Sequence, residues 1–345
     1  MDYGLAAIRT IHFAATVAAS GVILFRWLVA APAYRDVNSP PQSRGASHID
    51  PVFDRQLGLI FNASLLVVLV SGAGWLLAVA TDIGEGSMHE ALGDGTVWKV
   101  LTATQFGQVA ILRLIVVGAL IAVTWPSRRA QSVDGILPSW LPVTMTALLI
   151  GLLAWAGHSG SIPGAEGVLF LANDIVHLLA VGAWVGGLLP LALFLANLER
   201  HPGTSSLRAA AFATRRFSTL GIAAVVAIVV TGFINSCHFV ADLTALVETE
   251  YGRLLTLKMV LFLAMLGLAA FNKFILSPRI ETVATWRKLK RNCLIEVALG
   301  LVILAIVAVL GMVSPSAHVH MAQRGLAAHA VYAATPVELP RHRID

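Results

Sequence analysis

The chain has 345 residues, of which 57% are hydrophobic and only 12% charged, and its mean hydropathy is +0.79. A soluble domain carries about twice that share of charge, so a soluble globular fold is excluded. The formal charge of +5 would suit nucleic acid, but it sits in alternate loops between apolar runs, which is a topology signal and no reason to expect nucleic acid as a partner.

Each apolar run approaches the ~20 residues that cross a bilayer. Eight are expected as spans, over roughly 5–31, 56–80, 100–125, 138–157, 168–196, 219–240, 254–276 and 293–313. The fold class is therefore all-α: a polytopic membrane helical bundle forming one domain over 1–315, with a tail over 316–345. The first run is too long for a cleaved signal peptide and carries Arg26 at the wrong end, so it reads as a retained helix. Loops 32–55, 126–137, 198–218 and 277–292 hold 14 of the Lys and Arg residues, whereas loops 81–99, 158–167 and 241–250 hold Lys99 alone. The positive-inside rule then puts the first set in the cytoplasm and both termini in the periplasm. Cys237 and Cys293 fall near opposite faces, with no CxxC motif, and no phosphate-binding loop suggests direct ATP coupling. No internal repeat is legible.

Taken in chain order, the spans carry few polar groups, and these recur at helical spacing. Span one has the stripe Arg9, His12, Thr16 and Ser20, and span three has Arg113. Span four closes on "GHSG", with His158 at its outer edge. Span five reads "NDIVHLLAVGAWVGGLLPLALF", with Asp174, His177 and Trp184 on one face and the Gly182/Gly186 pair nearly opposite, as close helix packing requires. Span six carries Thr231, Asn235 and His238, span seven Lys258 and Met259, and span eight Glu296. Arg9, Arg113 and Lys258 read as structural counter-ions, with Asp174 as a partner.

Of 11 histidines, only His48 and His201 lie on the cytoplasmic side. At a rise of ~1.5 Å per residue, His12 lies ~10 Å and His177 ~14 Å below the outer surface. With His158 and His238 at the edge, four histidines share one outer layer if their helices are neighbours. An intramembrane histidine is tolerated when neutral and inward-facing, and neutral imidazole is the form that binds metal. Imidazole suits Zn, Cu, Fe and Ni, whereas thioether selects Cu(I). Histidines with Met88, Met259 and Met312 nearby fit copper, while two histidines from facing helices fit a b-type haem. Zinc or iron carriers would bring more intramembrane carboxylates than Asp174 and Glu296. The residues alone leave copper and haem open. They also leave open a copper sensor that does not transport, and a bundle whose histidines only pack. The tail stretch "HVHM", with His318, His320 and Met321, has metal-friendly spacing.

Ten short stretches, in order, carry a resemblance: "RTIHFAA" at 9–15, "TQFGQVAILR" at 104–113, "GHSG" at 157–160, "HLLAVGAWVGGLLPL" at 177–191, "RFSTLG" at 216–221, "TGFIN" at 231–235, "YGRLLTLK" at 251–258, "FNKF" at 271–274, "EVALGLVIL" at 296–304 and "LGMVSP" at 310–315. The chain resembles the copper resistance protein D (CopD) family of bacterial inner-membrane proteins over most of 5–315. The resemblance implies a copper-handling membrane protein rather than an enzyme. Such a protein moves copper inward from the periplasm, often with a small CopC-like periplasmic copper-binding partner. It also implies that His12, His158 and His177 are the family's membrane histidines. Lys273 stands where an Arg is commoner, and the "HVHM" tail has no family counterpart.

The resulting expectation is a copper site built from His12, His158 and His177, with His238 and Met259 as extra ligands. Asp174 is expected to orient His177, with Trp184 and Asn235 beside it. Tail histidines His318 and His320 would collect copper, and release would pass polar groups near Asn62, Asn272 and Glu296.

Overall fold

The computed structural model describes residues 3–38, 50–124, 140–200, 203–239, 244–280 and 282–313. Among them there is no strand, and the chain is a multi-pass bundle of membrane-spanning helices. Among the described residues seven helices are long and apolar enough to cross a bilayer. The first is α1, Tyr3–Phe25, prolonged by a π-turn at Arg26–Ala30 into α2, Ala31–Asn38. It is followed by α3, Pro51–Gly84, whose start is set by Asp50 accepting from the amides of Val52 and Phe53, with Pro51 at the first helical position.

Two short helices, α4 at Met88–Gly93 and α5 at Thr96–Ala103, lead to α6, Gln105–Thr124. The expected span 100–125 is therefore broken near Thr104, whose hydroxyl accepts from the Gly107 amide and starts α6 afresh. The expected fourth span is shorter than the rest: α7, Trp140–Gly151, continues as a 3-10 helix to Ala156. The long helices α8, Gly164–Arg200, and α9, Thr204–Phe239, follow. Then come the short α10, Ala245–Glu248, and α11, Glu250–Phe271, which runs into a second π-turn at Asn272–Leu276, and finally α12, Val283–Leu310. Pro190 sits inside α8, as membrane helices allow when neighbours satisfy the freed carbonyl.

Helices α1 and α8 form the centre. Their crossing depends on two glycines. A Cβ on Gly21 would stand 1.9 Å from the Gly186 carbonyl carbon, and one on Gly186 would stand 2.3 Å from the Val17 oxygen. Only bare backbones reach that separation, the packing that the small pair in α8 predicts. Below the crossing, Phe25, Phe53 and Phe194 pack edge to face within a large apolar core. At that end Glu199 receives Arg287 and Lys290, Arg26 meets Asp54, and Asn197 donates to Gln56.

Candidate metal site

The α8 segment after Asn173 carries its polar groups toward α9. His177 Nδ1 lies 2.8 Å from the Thr231 hydroxyl, which itself bonds the Ala227 carbonyl at 2.6 Å. A hydroxyl has one proton. Since the Thr231 hydroxyl gives it to the backbone one turn back, it accepts from His177 Nδ1–H. The ring is fixed as the tautomer whose Nε2 keeps its lone pair, the form that ligates metal. One turn above, Asp174 accepts from Asn235 at 2.6 Å, while Asn173 donates to Asn235 at 2.7 Å and to the Thr231 carbonyl at 3.1 Å. Asp174 therefore does not orient His177, contrary to expectation. Residues three apart lean to different neighbours here, and Thr231 holds the ring. His177, Asp174, Asn235 and Lys258 are all partly exposed. Lys258 supplies the cation within electrostatic reach of both His177 and Asp174.

His12 stands on the other flank of the central pair. Its Nδ1 is 2.9 Å from the Ser71 hydroxyl on α3, and its ring meets Trp75 edge-on at 5.5 Å. It is 3% exposed and closed in. Arg9 lies over Trp75 at 4.9 Å and donates to the Ala156 carbonyl at 3.3 Å, while Arg113 donates to Thr16. Among the described residues no group of three or more His, Cys, Asp and Glu lies close enough to hold a metal. The shared layer of the sequence reading is thus divided. His12 faces α3 and His177 faces α9.

The remaining candidates fall in several places. His158 opens a 3-10 turn, His158–Ser161, just after Gly157, where an added Cβ would come 3.9 Å from an Asp174 oxygen; its own side chain lies outside the described part. His238 stacks on Phe170 at 3.9 Å and lies 3.8 Å from Glu166, not against His177. Met259 is 47% exposed among the exposed apolar residues Leu257, Val260 and Leu263, so it turns to lipid and not to the histidines. His318 and His320 lie outside the described residues. Sequence reasoning missed the two hydroxyl partners. Thr231 was visible on the stripe of span six, but nothing marked Ser71.

Two family models match the chain. That for "Copper resistance protein D-like, N-terminal domain" covers residues 1–168, and that for "Copper resistance protein D" covers 211–310. The chain belongs to the copper resistance protein D family. It is 27% identical to copper resistance protein D of Pseudomonas syringae pv. tomato over 280 residues, 76% of this chain and 87% of that protein. It is 28% identical to inner membrane protein YebZ of Escherichia coli K12, over 64% of this chain and 72% of that one. Copper transport protein CutJ of Bacillus subtilis is 26% identical over 73% of this chain, which spans 42% of CutJ. No solved structure matches the chain.

This member of the copper resistance protein D family also carries a second polar centre, toward the Glu199 end. A cavity of about 320 Å³ is lined by Trp184, Ser218, Asn272, Lys273, Cys293 and Glu296 among apolar neighbours. Trp184 is part of this cavity's wall, seven residues and ~10 Å along α8 from His177. Glu296 is 1% exposed and accepts from Asn272 at 2.6 Å, and Asn272 accepts from Asn292 at 2.7 Å. The π-turn that begins at Asn272 turns its amide into the bundle, a common use of such turns at functional positions.

Proposed function

We propose that this chain is a copper-handling protein of the bacterial inner membrane that takes copper from the periplasm and moves it toward the cytoplasm. One observation carries the reading: a histidine inside a membrane bundle whose Nδ1–H is anchored on Thr231, so that Nε2 is presented as a lone pair with the Asp174 carboxylate one turn away. A fixed imidazole beside an anion suits a soft-to-borderline cation. The carboxylate also stands beside the C-terminal end of the 3-10 helix at Ala156, where backbone carbonyls disfavour an anion and favour a cation. His158 is added to the proposed ligand set on its position in the sequence alone, next after Gly157.

Copper arriving at the outer loops, delivered by a small CopC-like periplasmic protein, is held at His177 and passes Trp184 to the cavity at Glu296 and Asn272. The chain binds and moves the ion and catalyses no reaction. An inward monovalent cation gains ~2.3 kcal/mol per 100 mV of membrane potential, a driving force that requires no nucleotide.

A haem ligated from both sides, the arrangement two histidines on facing helices would give, needs two imidazoles facing each other across one plane. Histidines turned to α3 and α9 favour copper over that arrangement. The test is metal content and visible absorption of detergent-purified protein, wild type beside Asp174→Asn, His158→Ala and His177→Ala. Copper near one per chain, lost in the variants, is expected. A Soret band that disappears with His177→Ala would assign the histidine to haem and sink the carrier reading.

A further inference from the structure

The two histidines occupy matching places. A single spacing of 165 residues separates His12 from His177, Gly21 from Gly186 and Arg9 from Asp174. Gly21 and Gly186 touch each other, as equivalent residues must on a two-fold axis. Each histidine bonds a hydroxyl on the following long helix, Ser71 or Thr231, which in turn bonds the carbonyl four residues back, Val67 or Ala227. The next residue is glycine in both, Gly72 and Gly232, lying against the ring Cε1.

The third long helices repeat the pattern. Thr104 and Thr249 accept from the amides of Gly107 and Gly252 at 3.0 and 2.9 Å. A Cβ on either glycine would strike the preceding short helix, at Val100 O or Ala245 O. Six residues on from each glycine comes a cation, Arg113 or Lys258, whose charge acts on the histidine of its own half. At the ends of the fourth helices, Gly311 adjoins Arg9 as Gly157 adjoins Asp174. These matches arrange the spanning helices as two four-helix halves that repeat one pattern in the same order.

The repeats differ where a ligand would be judged. Arg9 stands in the first where Asp174 stands in the second, and Trp75 covers His12 where Asn235 holds Asp174. Arg9 and Arg113 are 7% and 8% exposed, the Nε of each has no partner, and neither pairs with a carboxylate among the described residues. The first clasp therefore has two fixed positive charges and a lid. The second offsets one cation, Lys258, with one carboxylate, Asp174.

We propose that the two halves are quasi-equivalent histidine clasps of which only the second admits a cation, the first being barred by Arg9, Arg113 and Trp75. The proposal rests on the copper reading given above. It makes position 174, and its counterpart 9, the determinant of which half takes the ion.

The test is titration of the full-length purified protein with Ag(I), a redox-inert stand-in for Cu(I), counting ions per chain. Every protein in the series, the wild-type reference included, carries Cys237→Ser, His318→Ala, His320→Ala and Met321→Ala, so that the exposed thiol and the tail take none of this soft ion. Wild type should bind one; His177→Gln should bind none. His12→Gln should still bind one, within about twofold of wild-type affinity, as distant independent sites behave. Should either Gln variant fail to fold, the paired hydroxyl variants replace them. Thr231→Val should weaken binding by about tenfold or more, a typical loss when a ligand's hydrogen-bond partner goes, and Ser71→Ala should leave it unchanged. Two ions per wild-type chain, or loss of the ion in His12→Gln or Ser71→Ala, would overturn the division between halves while leaving copper binding intact. No ion in wild type would overturn both.

Discussion

A buried carboxylate is tolerated only when its oxygens are bonded, and Glu296 shows how narrow the margin is. Its recorded partner is the Asn272 amide, which Asn292 orients in turn. Asn272→Leu should strand the carboxylate and lower stability by about 1–3 kcal/mol or more. Thermal unfolding in detergent reads this as a loss of folded protein at a lower temperature. Glu296→Gln keeps an acceptor for Asn272, so it should fold normally but slow copper release, a split visible when thermal stability and cellular copper are measured together. At the outer site, Asn235→Ala removes the donor to Asp174 and should weaken metal binding by roughly tenfold without a matching loss of stability. The importance of Glu296 was legible because an acid in an apolar run has to be accounted for. Its partner was not, since spacing on one helix does not say which residue of another helix it meets.

The long helices could be read from hydropathy because the bilayer imposes one length on all of them. Their ends moved where local chemistry overrode that length. Thr104 and Thr249 restart helices within apolar runs, and α7 finishes in 3-10 geometry before Gly157. Arg9 donates to Ala156 at that finish, so Arg9→Met should leave the carbonyl without this donor and cost about 1–3 kcal/mol. The α1–α8 crossing is less forgiving. Gly186→Leu cannot be accommodated against Val17 and Gly21 and should abolish the monodisperse peak in fluorescence-detected size exclusion. Gly118→Ala, with open space around it, should be neutral or slightly stabilising. The glycine pair in α8 announced a close approach. That its partner is Gly21 follows only from which helices are neighbours.

For the whole molecule, the proposed repeat is faint in the sequence because the halves share little beyond a few spaced positions. A side-by-side comparison of "TQFGQVAILR" with "TEYGRLLTLK" would have exposed it: threonine, aromatic, glycine and cation recur at one spacing. Depth was legible to within one turn: counting from the span starts puts His12 ~10 Å and His177 ~14 Å down, whereas in the structure each lies nine residues before one of two mutually touching glycines. The sequence could not tell that equal depth puts them in separate clasps. On the proposed reading, the clasp at His177 and the cavity that begins seven residues further along the same helix are successive stations for the ion along α8. The most direct measurement of that account is copper accumulated by cells lacking the native protein, supplied with wild type, His177→Ala or Asp174→Asn at equal membrane abundance. Wild type should raise cellular copper and both variants should remain at the level of empty cells. Accumulation by His177→Ala equal to that of wild type would contradict it.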